Sequence, residues 1–286
     1  MSRILVPIDF SPSSLKALEH VQNLMNKEID SLLLLHVYGL PIPDPDLPYE
    51  LLSEFNSSLQ EIADMRLGKL KQETQKSWGR EVKIETKSLP GHPVQVILEQ
   101  AESFQADLLI MGMRGKNKAL RQIFGTTSSR VIKMSACPVI VVPEEGQIGR
   151  IRKIAYASNL EEEDIMALDR VIKLANGLGA EVHCVHVQQE GEQMDFYKKE
   201  LLEKAYRHDL SSSPIQVDVV KHEQVLDGLS SYIEEKGIDL IVMLSHKKSL
   251  LNRILKGSYT WDLTFQSRIP VWVFHAEVYQ GLLVEK

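Results

Sequence analysis

Short apolar runs alternate along the chain with stretches in which apolar positions recur every three or four residues. That alternation predicts strands and helices in succession, the pattern of an α/β protein with a parallel sheet. Arg3 to Ile8 reads as a strand, and Ser11-Pro12-Ser13-Ser14 supplies a cap and a first-turn proline for a helix to about Asn26. Leu15, Leu18, Val21, Leu24 and Met25 give that helix its apolar face. Ser31 to Val37 is nearly all apolar, as suits a parallel strand covered on both sides. Residues 39–50 carry four prolines and three acidic groups and read as an extended surface loop. A long helix is expected from about Leu51 to Ser77, with Leu51, Phe55, Leu59, Ile62, Met65 and Leu70 apolar, long enough to continue past the sheet. Then follow a strand from Glu81 to Leu89, a turn at Gly91-His92-Pro93, a helix from Val94 to Phe104, a buried strand from Leu108 to Met111, and a closing strand from Pro138 to Val142.

The second part of the chain repeats this order. Ile151 to Ala157, Glu181 to Val187, Ile215 to Val220, Asp239 to Leu244 and Ile269 to His275 read as strands. Ile165 to Leu178, Phe196 to His208 and Gln224 to Lys236 read as helices. His36-Val37 pair with His186-Val187 at an offset of 150, and Asp107 with Asp239 at 132, so the second part lacks 18 residues between its second and fourth strands. Most of that loss falls on the proline-rich loop and the long helix. Residues 144–150, polar and glycine-bearing, are the best linker. The expected division is therefore a domain at 1–143, a linker at 144–150 and a second domain at 151–286. Each is a doubly wound α/β unit with a five-stranded, mostly parallel sheet and helices on both faces.

Candidate chemistry concentrates between Asp107 and Ser129. The strand breaks at Gly112, Gly115 follows, and nine residues later comes Gly125-Thr126-Thr127-Ser128 at the expected start of a helix. Glycines let backbone amides approach a ligand, and the helix start offers amides and hydroxyls to an anion. The same pattern also serves as a plain connector in many α/β proteins. Neither G-x-x-x-x-G-K-[ST] nor G-x-G-x-x-G is present, so neither P-loop hydrolysis nor dinucleotide binding is signalled.

The spacing Gly112, two residues, Gly115, nine residues, Gly125-Thr126 resembles the G-2x-G-9x-G-[S/T] motif of the ATP-binding branch of the universal stress protein family. The opening strand Ile4 to Ser11 and the closing strand Cys137 to Pro143 are similar to those with which that family begins and ends its domains. The resemblance implies ATP as ligand, with Mg2+ or Mn2+ bridging its phosphates and no protein ligands for the metal. It implies that Pro7, Asp9, Val37 and Met111 line the adenosine end, with Asp9 accepting hydrogen bonds. Gly112 and Gly115 would wrap the sugar and phosphates, and Gly125, Thr126 and Thr127 would donate to phosphate oxygens. By register the second domain has Ala157 for Pro7, Asn159 for Asp9, Leu244 for Gly112 and Lys247 for Gly115, although Gly257-Ser258 persists. The nucleotide motif is expected to be degenerate there. The family's joining of domains through closing strands implies an intramolecular pseudo-dimer through Val139 to Val142 and Val271 to Phe274, apolar edges that would otherwise stay open.

Composition narrows the partners. The 286 residues and 43% hydrophobic content suffice for two cores. Lys plus Arg against Asp plus Glu number 17 to 18 in residues 1–150 and 16 to 21 in residues 151–286, without a basic arm, so nucleic acid is not expected. No apolar run reaches membrane-spanning length and none opens the chain, so no membrane partner is expected and the cytoplasm is the expected compartment. Cys137 and Cys184 lie in apolar runs without metal or redox spacing, and His92 reads as a turn residue. Arg114, Lys116, Lys118 and Arg121 place positive charge in the glycine loop, which is expected to be mobile until an anion orders it. No general base stands out beyond Asp9, so turnover is expected to be slow at most. The expected function is an adenine-nucleotide-binding stress or regulatory protein signalling by occupancy. Its alternative is a scaffold with a vestigial cleft that recruits a homo-oligomer or another protein through surfaces including residues 39–77.

Overall fold

The computed structural model describes residues 2–25, 29–39, 49–78, 82–113, 126–145, 149–160, 162–191, 200, 215–245 and 269–275. The first half contains β1 (Ser2–Pro7), α1 (Pro12–Met25), β2 (Ile29–Tyr38), α2 (Tyr49–Trp78), β3 (Lys83–Pro90), α3 (Pro93–Ser103), β4 (Leu108–Met113), α4 (Thr126–Met134) and β5 (Val139–Pro143). The second contains β6 (Lys153–Ala157), α5 (Glu162–Leu178), β7 (Glu181–Gln188), β8 (Ile215–Lys221), α6 (Val225–Lys236), β9 (Leu240–Ser245) and β10 (Val271–His275). The helix expected at 196–208 lies outside the described residues apart from position 200.

The strands form one sheet of ten in the order β3-β2-β1-β4-β5-β10-β9-β6-β7-β8. The repeat predicts two five-stranded sheets, and the family resemblance implies that they join through their closing strands. They are joined because β5 and β10, the apolar edges, pair antiparallel through Val139–Val273, Ile140–Trp272 and Val141–Val271. That contact removes two open edges at once. Every other neighbouring pair is parallel. Within each half the strand order reverses direction beside the first strand, between β1 and β4 and between β6 and β9. In an open α/β sheet that switch point, at the strands' carboxyl ends, is where ligands bind.

Both faces are covered. Ala17, Leu18 and Val21 of α1, Leu67 and Trp78 of α2, and Ala167, Leu168 and Val171 of α5 belong to one core cluster. Val94, Ile97 and Ala101 of α3, Val131 and Ile132 of α4, and Leu229 and Tyr232 of α6 belong to the other. Strands buried on both sides need apolar residues at successive positions, which is why Leu32 to Leu35 are all fully buried.

The repeat extends to single hydrogen bonds. Asp107 accepts from the Arg3 amide at 2.8 Å, and Asp239 accepts from the Lys153 amide at 3.0 Å. His36 Nδ1 donates to the Ile8 carbonyl at 2.6 Å, and His186 Nδ1 to the Ser158 carbonyl at 3.0 Å. Phe10 and Leu160 occupy the left-handed region at φ 60° and 57°. These bonds fix how the chain leaves each first strand, and hence where the crevice lies.

Candidate functional site

At the end of β1 the chain turns through Phe10 into α1, and Asp9 stands exposed at the turn. Its Oδ1 accepts the Ser11 amide at 3.0 Å and also the Ser11 hydroxyl. Since that hydroxyl proton is committed to Asp9, Ser13 Oγ donates to Ser11 Oγ at 3.0 Å, and the Ser14 amide does so at 3.3 Å. Ser14 Oγ donates to the Ser11 carbonyl at 3.0 Å. The residues Ser11 to Ser14 thus cap α1 by satisfying its first donors, with proline at the first helical position.

The start of α1 lies directly on Gly112. A Cβ placed on Gly112 would stand 2.2 Å from the Ser13 carbonyl oxygen and 2.6 Å from the Ser14 nitrogen. Gly112 is therefore a packing requirement of the α1–β4 contact, whatever else it does. It also lies inside β4, paired with Val142, rather than ending the strand at Met111. From the other face, Ser128 Oγ in the first turn of α4 reaches the Gly112 carbonyl at 3.4 Å. The amino ends of two helices, one from each face of the sheet, converge on this glycine. The positive ends of the two helix dipoles make such a place favourable to negative charge.

The described site residues divide by position. Pro7 is half-buried at the end of β1, Val37 is half-buried near the end of β2, and Thr127 is half-buried in the first turn of α4. Met111 is buried in the cluster beneath α3 and α4, so its side chain serves the core. Thr126 begins α4. Gly115 and Gly125, and with them Arg114, Lys116, Lys118 and Arg121, lie outside the described residues. Beside Asp9 the structure adds an unforeseen cluster: the Phe10 ring lies 4.9 Å from the His36 ring at a tilt of 51°, and Arg66 of α2 sits 3.8 Å above the Phe10 ring. Nothing in the spacing of these residues along the chain joins them, because they meet only when α2 folds back over β2 and β3.

The second half departs from this arrangement. Leu244, in the register of Gly112, is 5% exposed and packed in the core cluster. Asp164, in the first turn of α5, turns inward and accepts hydrogen bonds from Tyr156 Oη and from Ser158 Oγ at 2.8 Å, while Ser158 Oγ accepts the Leu160 amide at 2.9 Å. A carboxylate of the protein itself thus occupies the start of this helix. Burial beside Asp164 pushes the nearby Cys184 thiol up to about 12. A separate buried group links β7, β8 and α6: His183 Nδ1 donates to Tyr232 Oη at 2.7 Å, and Tyr232 donates to Asp218. Burial lowers the His183 pKa, with Asp218 opposing, and burial followed by Asp218 raises that of Tyr232. His183 is neutral at pH 7, and the three residues tie strands to helix.

No group of three or more His, Cys, Asp or Glu able to hold a metal ion occurs among the described residues. No described helix is long and apolar enough to cross a membrane. Cys137 is half-buried, Cys184 is buried, and both are free thiols.

Comparison with known proteins fits this architecture. Universal stress protein MJ0531 of Methanocaldococcus jannaschii is 38% identical over 148 residues, which is 49% of this chain and 81% of its own length. Universal stress protein MJ0577 of the same organism is 31% identical over 151 residues, 49% of this chain and 93% of its own length. A universal stress protein from Archaeoglobus fulgidus shares the fold over 96% of both chains, with a TM-score of 0.69 at 20% identity. A second solved structure, from Pseudomonas aeruginosa, does so over 100% of this chain and 98% of its own, with a TM-score of 0.63 at 15% identity. The model of the universal stress protein family matches residues 1–143 and again residues 150–275. The chain therefore belongs to the universal stress protein family and carries its domain twice in tandem.

Proposed function

We propose that the first half binds one adenine nucleotide, ATP, at the carboxyl ends of β1 and β4, and that occupancy of this site is the protein's signal. The observation that carries this reading is the convergence of the α1 and α4 amino ends on Gly112, with the exposed carboxylate of Asp9 one hydrogen-bonded step away through Ser11. Helix amino ends suit phosphate, and a carboxylate that accepts hydrogen bonds suits a ribose or adenine donor. Pro7 and Val37 flank the adenosine end, and Met111 contributes through its backbone, since its side chain belongs to the core. Gly115, Gly125, Thr126 and Thr127 complete the phosphate side in the spacing G-2x-G-9x-G-[S/T]. Magnesium or manganese would be held by the phosphates.

The second half is the degenerate copy in this reading. Leu244 occupies the place of Gly112, and Asp164 supplies from within a negative charge at the start of α5. The domain limits we favour are 1–143 and 151–286, with 144–150 as linker. A second reading, a scaffold whose cleft is vestigial, draws support from Phe55, Ile62 and Met65 standing exposed on α2.

Calorimetry of the full chain tests the first reading. One ATP per chain is expected, with binding abolished by Gly115→Val and unchanged by Lys247→Val. Two equal sites, or full affinity in Gly115→Val, would contradict the assignment. Steady-state hydrolysis is expected to stay below about 1 per second, the low end of ordinary enzyme turnover. Fast turnover that Asp9→Ala removes while ATP still binds would make the protein an enzyme instead.

A further inference from the structure

Helix α2 presents two different sides. Ala63, Leu67, Thr74 and Trp78 are buried, in a helix that packs on β2 and β3. On another side Phe55, Ile62 and Met65 remain 54%, 51% and 69% exposed. Intervals of seven and three residues place these three within one stripe about 80° wide. Single surface hydrophobics need no explanation, but a helix stripe of large ones at this spacing suits a second helix.

Charge along the same helix says which helix. Tyr49 to Met65 contains Glu50, Glu54, Glu61 and Asp64 and no basic residue, whereas Arg66 to Trp78 contains Arg66, Lys69, Lys71 and Lys76 against Glu73 alone. The helix dipole rewards such a bias only in the first and last turns, and Glu61 and Asp64 lie in the middle. A helix acidic in one half and basic in the other is complementary to itself when run antiparallel. Two-fold assembly requires that kind of self-complementary patch.

We propose that the exposed stripe of α2 docks on the same stripe of a second copy of this chain, as an antiparallel helix pair with Ile62 near the two-fold axis. Met65 then lies beside Leu59 of the second copy, and Glu54 beside its Lys69. Lys69 is 3.9 Å from Glu73 in a strongly exposed pair, which costs little to rearrange. Among the described residues α2 is the one helix with such a stripe. Positions 39–82 separate β2 from β3, while only 189–214 separate β7 from β8, too few for another helix of 30 residues. One stripe per chain closes a dimer instead of propagating a filament. The contact is small, below about 1,200 Å2, so the dimer is concentration-dependent. It does not depend on nucleotide.

Sedimentation velocity of the full chain from about 1 to about 200 µM spans the affinities expected of so small an interface. A monomer–dimer equilibrium is expected, and Ile62→Glu with Met65→Glu should give monomer throughout without lowering the melting temperature, since both side chains are exposed. Glu54→Lys should weaken the dimer about fivefold, as two symmetric surface pairs are lost, and adding Lys69→Glu should restore it. A wild-type chain that stays monomeric overturns the proposal. So does a dimer indifferent to the double glutamate variant, or a charge reversal that fails to rescue.

Discussion

His20 shows what one buried side chain does to the whole protein. It is 2% exposed on α1, and neither ring nitrogen has a hydrogen-bond partner among the described residues. Burial, reinforced by Lys16, lowers its pKa from 6.5 to about 4. As pH falls below 6.5 the unfolded chain takes up this proton, while the folded chain refuses it until about 4. Stability is therefore lost between those values and levels off below them, by roughly 3 kcal/mol in all. His20→Leu removes both the proton linkage and two unsatisfied polar atoms, so urea denaturation should find the variant more stable at pH 7 by about 1 kcal/mol or more. The gap to the wild type should widen toward pH 4.5. A gap that does not change with pH would show that the folded protein takes up the His20 proton as readily as the unfolded chain.

Elements meet where side chains are absent. The α1–β4 contact tolerates nothing at Gly112, because the atoms in the way are the Ser13 carbonyl and the Ser14 nitrogen, which cannot rotate aside. Gly112→Ala should cost more than about 2 kcal/mol and displace the start of α1, and with it the hydrogen bonds between Asp9 and Ser11. Gly68, in the middle of α2, has open space where a methyl group would stand, with no neighbouring atom within 4 Å, so Gly68→Ala should instead stabilise by about 1 kcal/mol through helix propensity. Thermal denaturation of the pair gives opposite signs if packing decides the first and propensity the second. Equal, small effects would mean that α1 adjusts freely over β4.

At the scale of the whole molecule the seam is the question. Only three residue pairs join β5 to β10. The core nevertheless crosses there on both faces, with Ile140, Val142, Trp272 and Phe274 in one cluster and Val139, Val141, Val271 and Val273 in the other. Continuous apolar burial couples the halves more strongly than three backbone pairs could. Native-state hydrogen exchange should therefore find the amides of Ile140 and Trp272 protected to the same free energy as those of Ile4 and Ile154, through one global opening. Seam amides that exchange through a smaller opening than either half would show two units unfolding apart.

The sequence by itself determined the alternation of strands and helices, the tandem repeat and its 18-residue deficit, because each follows from local periodicity and spacing. It also determined the cap of α1, whose groups lie within a few residues of one another. The tertiary structure decided how the closing strands meet, antiparallel and within one sheet of ten, since an apolar edge strand specifies that it must pair but neither direction nor register, and only the family resemblance pointed to the partner. It likewise decided that Gly112 is demanded by the backbone of α1, that Met111 serves the core, and that Asp164 fills the start of α5. Those facts rest on contacts between residues distant in the chain. A residue's type limits what it can touch, while the packing of elements selects what it does touch.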